Sequence, residues 1–340
     1  MLNSKSTLFL SLICLGATSL LAQGTSSGVL LILSKSDQTV AIVDPVSLKI
    51  LGRVPSGPDP HEIVASTDGK TAYVSNYGGG AYNTLGVIDL VHQKALPSVD
   101  LGPMRGPHGL DFVGGKVWFT AEANKMIGSY DPVAGKVDWV LGTGQNRTHM
   151  IAVSQDLKRI ITSNVSSATM TIIDQTTGGR RGPGPGGPPP PDWEETVVSV
   201  GRGAEGFDLS PDGKELWAAN AQDGTISIIE IAGKKVIATL DANVKGANRL
   251  KFTPNGKLVF VSTLGGPELT ILDAATRKQV KRVKMGRGAA GIQMHPDGSR
   301  AYVACTPDND VAIVDLKSLD VVGHIDAGRQ PDGMAWALRP

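Results

Sequence analysis

Residues 201–240 read GRGAEGFDLSPDGKELWAANAQDGTISIIEIAGKKVIATL. A glycine-bounded loop leads into a short apolar run, and a PDGK turn (211–214) follows. Three more runs come next, ELWAAN (215–220), TISIIE (225–230) and KVIATL (235–240). Apolar runs of five to seven residues between turn residues specify short strands, here four in succession. The unit recurs, beginning near Gly57, Gly102, Gln145, Arg202, Val244 and Arg287. A fixed period of this kind marks a repeat architecture. The turns between first and second strands are TDGK (67–70), GGK (114–116), QDLK (155–158), PDGK (211–214), PNGK (254–257) and PDGS (296–299). Asp-Gly and Asn-Gly suit two-residue hairpin turns, whose central residues need positive φ.

The ends complete the count. After Ala22 the chain enters in mid-unit, with VLLILS (29–34), TVAIVD (39–44) and ILGRVP (50–55) as second to fourth strands. The C-terminal GRQPDGMAWAL (328–338) supplies the missing first strand. Six whole units and one split unit make seven, and the roughly 318 residues after Ala22 give about 45 per unit, a propeller-blade length. The expected fold is all-β: a single seven-bladed β-propeller domain over 23–340, its ring closed by N- and C-terminal strands in one blade. Closure removes the exposed sheet edge. Composition agrees. Glycine (42) and proline (21) supply the turns, and 41% hydrophobic residues can bury a core, which excludes wholesale disorder. Lys+Arg (33) balance Asp+Glu (32), which argues against nucleic acid as a partner.

Two segments stand outside the repeat. Lys5 followed by LFLSLICLGATSLLA (8–22) reads as a signal peptide, 1–22, so the protein is expected to be exported, periplasmic or secreted. No later apolar run reaches the length of a membrane span. Cys14 lies in that signal, which leaves Cys305 alone and excludes an intramolecular disulfide. The run GGRRGPGPGGPPPP (178–191) reads as a loop insertion of flexible and polyproline-II character between the third and fourth strands of its unit. It is expected on the face away from the site.

The loop leading into the first strand and the loop joining the second and third share one face of a blade. At the start of the first strand the seven units place His61, His108, His149, Glu205, Asn248, Ala290 and Asp332. The second loop adds Asn76, Tyr77, Glu122, Asn124, Asn164, Asn220, Thr263 and Cys305. Repeat symmetry aims equivalent positions at the channel axis. His61, His108, His149 and Glu122 are therefore expected to converge as ligands of a divalent metal ion, and three imidazoles with a carboxylate suit a transition metal. Capping a turn or bonding a channel water is the structural alternative for such a histidine. A neutral His108 would serve as general base near pH 7, and Tyr77 or Tyr82, in the loop YGGGAYNT (77–84), would assist the leaving group. Asn76, Tyr77, Arg105, Arg147, Asn164, Glu205, Asn220 and Asn248 are the expected ligand-binding residues, for a small or oligomeric ligand or a protein partner. Arg105, Arg147, Arg202, Arg287 and Arg329 recur just before the strand position and favour an acidic ligand, with backbone capping as the alternative. His92, His295 and His324 fall at outer positions and read as surface residues.

Two resemblances bear on function. AYVSN (72–76) and AYVAC (301–305), each followed by a VID or IVD strand, resemble the bacterial YVTN-type propeller repeat family. That likeness implies a fold and little about activity. The stretch GPHGLDFVGGKVWFTAEANKMIGSYD (106–131) resembles a blade of the virginiamycin B lyase (streptogramin lyase) family. The resemblance implies a seven-bladed propeller that opens a cyclic depsipeptide by Mg²⁺-assisted β-elimination. It also implies active-site roles for His108 and Glu122, with His61 matching the family's other PH histidine. The family carries a glutamate two residues before its PHG histidine, where this chain has Gly106, and His149 is additional. The expectation is an exported metal-dependent lyase; a non-catalytic binding propeller and a lactonase-type hydrolase are the alternatives.

Overall fold

A computed structural model describes residues 28–176 and 192–339. The signal 1–22 and the insertion 178–191 lie outside the described residues. Seven four-stranded antiparallel sheets form the blades of a β-propeller. Blade 1 holds Gly28–Ser34, Thr39–Val43 and Ile50–Pro55, with Pro331–Leu338 as its inner strand. The terminal strands pair in antiparallel register, Leu30 with Trp336 and Ile32 with Met334. The inner strands of blades 2 to 7 are Pro60–Ala65, Pro107–Val113, Thr148–Val153, Ala204–Leu209, Ala247–Phe252 and Ala289–Met294.

The core lies between blades. Leu31 and Leu33 pack with Ile63, Val74 and Ile88 of blade 2, whereas Leu30 and Ile32 pack with Tyr302, Ala304 and Val311 of blade 7. Successive side chains of a strand point to opposite faces. Gly28–Ser34 is therefore buried at every residue, and GVLLILS has no polar alternation until Ser34. Each fully buried leucine or isoleucine contributes about 1.5–3 kcal/mol. Outer strands such as Lys94–Asp100 are almost wholly exposed. No helix among the described residues is long and apolar enough to cross a membrane.

The turns differ from the expected two-residue type. Ser66 and Thr71 close a four-residue loop in which Gly69 takes positive φ (71°) while the Asp68 carboxylate accepts from Ser66 Oγ and the Lys70 N–H. Aspartate here caps the loop with its side chain, and only the glycine occupies the left-handed region. The two-residue geometry appears at Gly114 and Gly115, both at positive φ, between paired Val113 and Lys116.

Candidate functional site

Each inner strand begins with a β-bulge. In blade 2 the register slips between Pro60 and Ile63, in blade 3 between Pro107 and Leu110, and in blade 4 between Thr148 and Ile151. The same slip recurs in the other four blades. A bulge re-aims the side chains within it. The second residue of each slip is the register position of the repeat, so His61, His108 and His149 emerge together. The third is Gly109 in blade 3, where a Cβ would lie 2.5 Å from the His149 carbonyl oxygen. The missing side chain lets blades 3 and 4 approach closely enough for their histidines to stack.

The His108 and His149 rings lie 3.7 Å apart between centroids, tilted by 32°. His61 lies 5.0 Å from His108, and the Tyr77 ring lies 4.9 Å from His61 and 5.2 Å from His108. Glu122 joins the group from the second loop of blade 3. One carboxylate oxygen accepts from the Tyr77 hydroxyl at 2.5 Å and the other bonds His149 Nδ1. On its far side His149 Nε2 faces Glu205 Oε1 at 3.6 Å, an electrostatic contact beyond hydrogen-bond range. Asn248 donates to that same oxygen at 2.9 Å. His61 Nε2 bonds Asp59 at 3.2 Å, and Asp332 pairs with Lys35 at 2.8 Å.

These contacts drive the stacked rings in opposite directions. Burial, with the neighbouring His149 and His61, pulls His108 well below the ordinary histidine value. Burial also pulls at His149, but the carboxylates of Glu122 and Glu205 outweigh it and raise its pKa. His61 is lowered by burial and by Lys35. Burial pushes Glu205 up, yet His149, Arg249 and Arg147 bring it down to about 2. Burial and the bond to Glu122 push Tyr77 up to about 12. The carboxylates beside His149 favour its charged form and burial favours the neutral form of His108; the buried Nδ1 of His108 and Nε2 of His149 both lack a hydrogen-bond partner.

Two signs follow for pH. The raised His149 contributes stability below the unfolded histidine value of about 6.5, and that contribution disappears as pH rises through its folded value. The lowered His108 and His61 act oppositely. Below about pH 6.5 the unfolded chain gains protons that these folded rings refuse, so acidification destabilises the fold. In an NMR titration His149 is expected to lose its proton well above His108. Coincident titration near the free-histidine value would refute the assignment.

Among the described residues no group of three or more His, Cys, Asp or Glu is arranged to hold a metal ion. The physical reason is visible: His108 and His149 meet ring against ring, Glu122 occupies His149 Nδ1, and Asp59 occupies His61 Nε2. Of the other expected residues, Asn76, Asn164 and Asn220 turn into their own blades. Their amides donate to the Ser56 carbonyl, to Thr169 and Thr171, and to Thr225 and Ser227. Tyr82 is 42% exposed and packs over Gly78, away from the imidazoles. Arg105 is exposed, and its N–H bonds Asn124. His92 and His324 are exposed as expected, but His295 is a correction: it is largely buried, edge-on to Trp336 at 4.5 Å.

Two charged residues were missed by the sequence reading. Glu62 and Arg249 stand one place after the register position and form an ion pair across the channel between blades 2 and 6. They line one end of a cavity of about 460 Å³ that continues along the channel past Asp111, Asp208 and Lys251. Their signal was present: Gly109, Gly206, Gly291 and Gly333 fill the same place in four blades. A charge among glycines at the axis marks a special position.

No protein-family model matches the chain, and no curated protein matches it. Solved structures do. A functionally unknown protein from Desulfotomaculum acetoxidans is similar at 14% identity with a TM-score of 0.74, covering 92% of this chain and 100% of that one. A candidate 6-phosphogluconolactonase from Bacteroides fragilis is similar at 15% identity with a TM-score of 0.73, covering 93% and 99%. Hydrazine synthase from Kuenenia stuttgartiensis gives 19% identity and a TM-score of 0.67, covering 90% and 99%. At such identities the likeness concerns the fold alone, and the chain is a seven-bladed β-propeller.

Proposed function

We propose that the protein is an exported enzyme performing proton-transfer chemistry at the channel mouth, with His108 as general base and Tyr77 or His149 as general acid. One observation carries this reading: two buried imidazoles stacked at 3.7 Å, of which His149 lies between two carboxylates and His108 does not, so their pKa values are pushed apart. Environments that push paired groups apart assign the acid and the base. The chemistry that fits is β-elimination. His108 takes a proton from the carbon beside a carbonyl, the C–H electron pair forms the C=C bond, and the C–O bond to the leaving group breaks. Tyr77 or His149 returns a proton to the departing oxygen. The blade containing His108 and Glu122 carries the resemblance to virginiamycin B lyases, which supports the reaction class.

His108→Gln is expected to lower turnover by roughly 10²–10⁴-fold, the usual contribution of a positioned base. The assay is the conjugated alkene absorbance formed from ester-linked substrates. Hydrolysis without that absorbance would instead support the lactonase reading, to which the Bacteroides fragilis similarity lends its name. A bound divalent cation is the second reading, favoured by the orphan Nδ1 of His108 beside His61. Chelation leaves activity intact on the first reading and abolishes it on the second. Retained activity in His108→Gln overturns the general-base reading.

A further inference from the structure

We propose that the mouth takes a small molecule bearing an oxyanion group, carboxylate or phosphate, gripped by Arg147; this rests on the reading of the mouth as the active site. The argument begins with the five arginines before the inner strands. In blades 5, 7 and 1, Arg202, Arg287 and Arg329 each direct their backbone N–H and side-chain Nε at the two oxygens of one aspartate. The partners are Asp223, Asp308 and Asp37, at 2.6–2.7 Å. Those guanidiniums are committed to fastening loops.

Arg147 is not their equivalent. It stands two residues before His149, whereas the others stand three before their strand position. Asn146 takes the loop-fastening place in blade 4, its N–H bonding Ser167 Oγ at 2.8 Å. Arg147 instead occupies the left-handed position (φ 56°) filled in blades 3, 5, 6 and 7 by Gly106, Gly203, Gly246 and Gly288 and in blades 1 and 2 by Gln330 and Asp59. Left-handed backbone at a non-glycine residue is strained, so glycine suits this position better than arginine. The side chain is 41% exposed, and its Nε lies 3.7 Å from Glu122 Oε1. Its charge reaches Tyr77, His108, Glu122 and Glu205 together, which places it over the cluster.

The carboxylates around it are already engaged. Asp59 accepts from the Gly78 N–H and His61, Glu122 from Tyr77 and His149, and Glu205 from Asn248, while Asp332 pairs with Lys35. What remains to meet a ligand is the half-exposed guanidinium fork of Arg147. A planar fork matches the paired oxygens of a carboxylate or phosphate. The Glu62–Arg249 pair meets across the channel beneath, which favours a small ligand.

Calorimetric titration tests this with succinate, inorganic phosphate and neutral succinamide as probes. The intact protein is expected to bind succinate or phosphate, and the stronger of the two names the source of the oxyanion; succinamide is expected not to bind. Arg147→Gly is expected to weaken that binding about tenfold or more while leaving Tm unchanged or raised, because glycine suits the backbone. Arg202→Gln is expected to leave binding intact. Unchanged binding in Arg147→Gly, equal binding of succinamide, or a lowered Tm in Arg147→Gly would overturn the proposal. His108→Gln separates it from the catalytic reading: probe binding persists there even if turnover proves independent of His108.

Discussion

A chain shortened by Pro331–Leu338 and the residues after it is expected to yield no soluble folded protein. The deletion removes the inner strand of blade 1 and leaves Gly28–Ser34, buried at every residue, with one edge unpaired. An apolar strand with open N–H and C=O groups is a template for aggregation. The loss also uncovers both neighbouring interfaces, because Met334 packs with the blade 1–blade 7 core and Ala335 and Ala337 with the blade 1–blade 2 core. Removing Arg339 and Pro340 alone is the control. Arg339 is partly exposed and pairs at the surface with Asp44, an interaction worth about 0–1 kcal/mol. Expression, size-exclusion and thermal melts read the result. A chain ending at Gln330 that stays monomeric and melts cooperatively would show that the ring does not depend on this closure.

That expectation could be written from the sequence because closure is a counting argument. Seven second strands such as ELWAAN and RAYVAC, with a first strand supplied at 328–338, leave no other place for the terminal segment. Blade architecture was legible because each strand reports its own environment: continuous apolar residues where both faces are covered, and a mixture of polar and apolar residues in the outer strand. The histidine register was legible for a related reason. A repeat maps equal sequence positions to equal places around the axis.

What was not legible depends on single-residue offsets and side-chain direction. Arg147 looks like a fifth copy of a motif until its spacing from His149 is counted, and one residue moves it from a loop clamp to the rim of the site. Asn76, Asn164 and Asn220 end strands at the mouth, yet their side chains face inward. For Asn164 the signal lay in Thr169 and Thr171, polar residues on the buried half of the third strand that need a partner. The ring-on-ring contact of His108 and His149 follows from Gly109 and the bulge, a combination that no pattern of residue types states.

The Glu62–Arg249 pair makes the second large expectation. Both side chains are nearly buried, at 13% and 7% exposure, and they meet across the channel. Burial works against the Arg249 charge, while Glu62, followed by Asp332 and Glu205, holds it in place. Replacing Glu62 by methionine leaves a guanidinium in the channel without its hydrogen-bonded partner. Breaking a buried pair from one side costs about 3–5 kcal/mol. The residual charges of Asp332 and Glu205 place the expected loss near the lower end. Replacing both residues, Glu62→Met with Arg249→Met, removes the uncompensated charge along with the pair and is expected to recover most of that stability, since apolar substitutes for buried pairs are often neutral or stabilising. Denaturant melts of the two single variants and the double variant give the coupling between the sites. If Glu62→Met melts like the parent, Arg249 is solvated in the channel, and the pair closes nothing. If the double variant is as unstable as the single, the loss comes from packing rather than from charge.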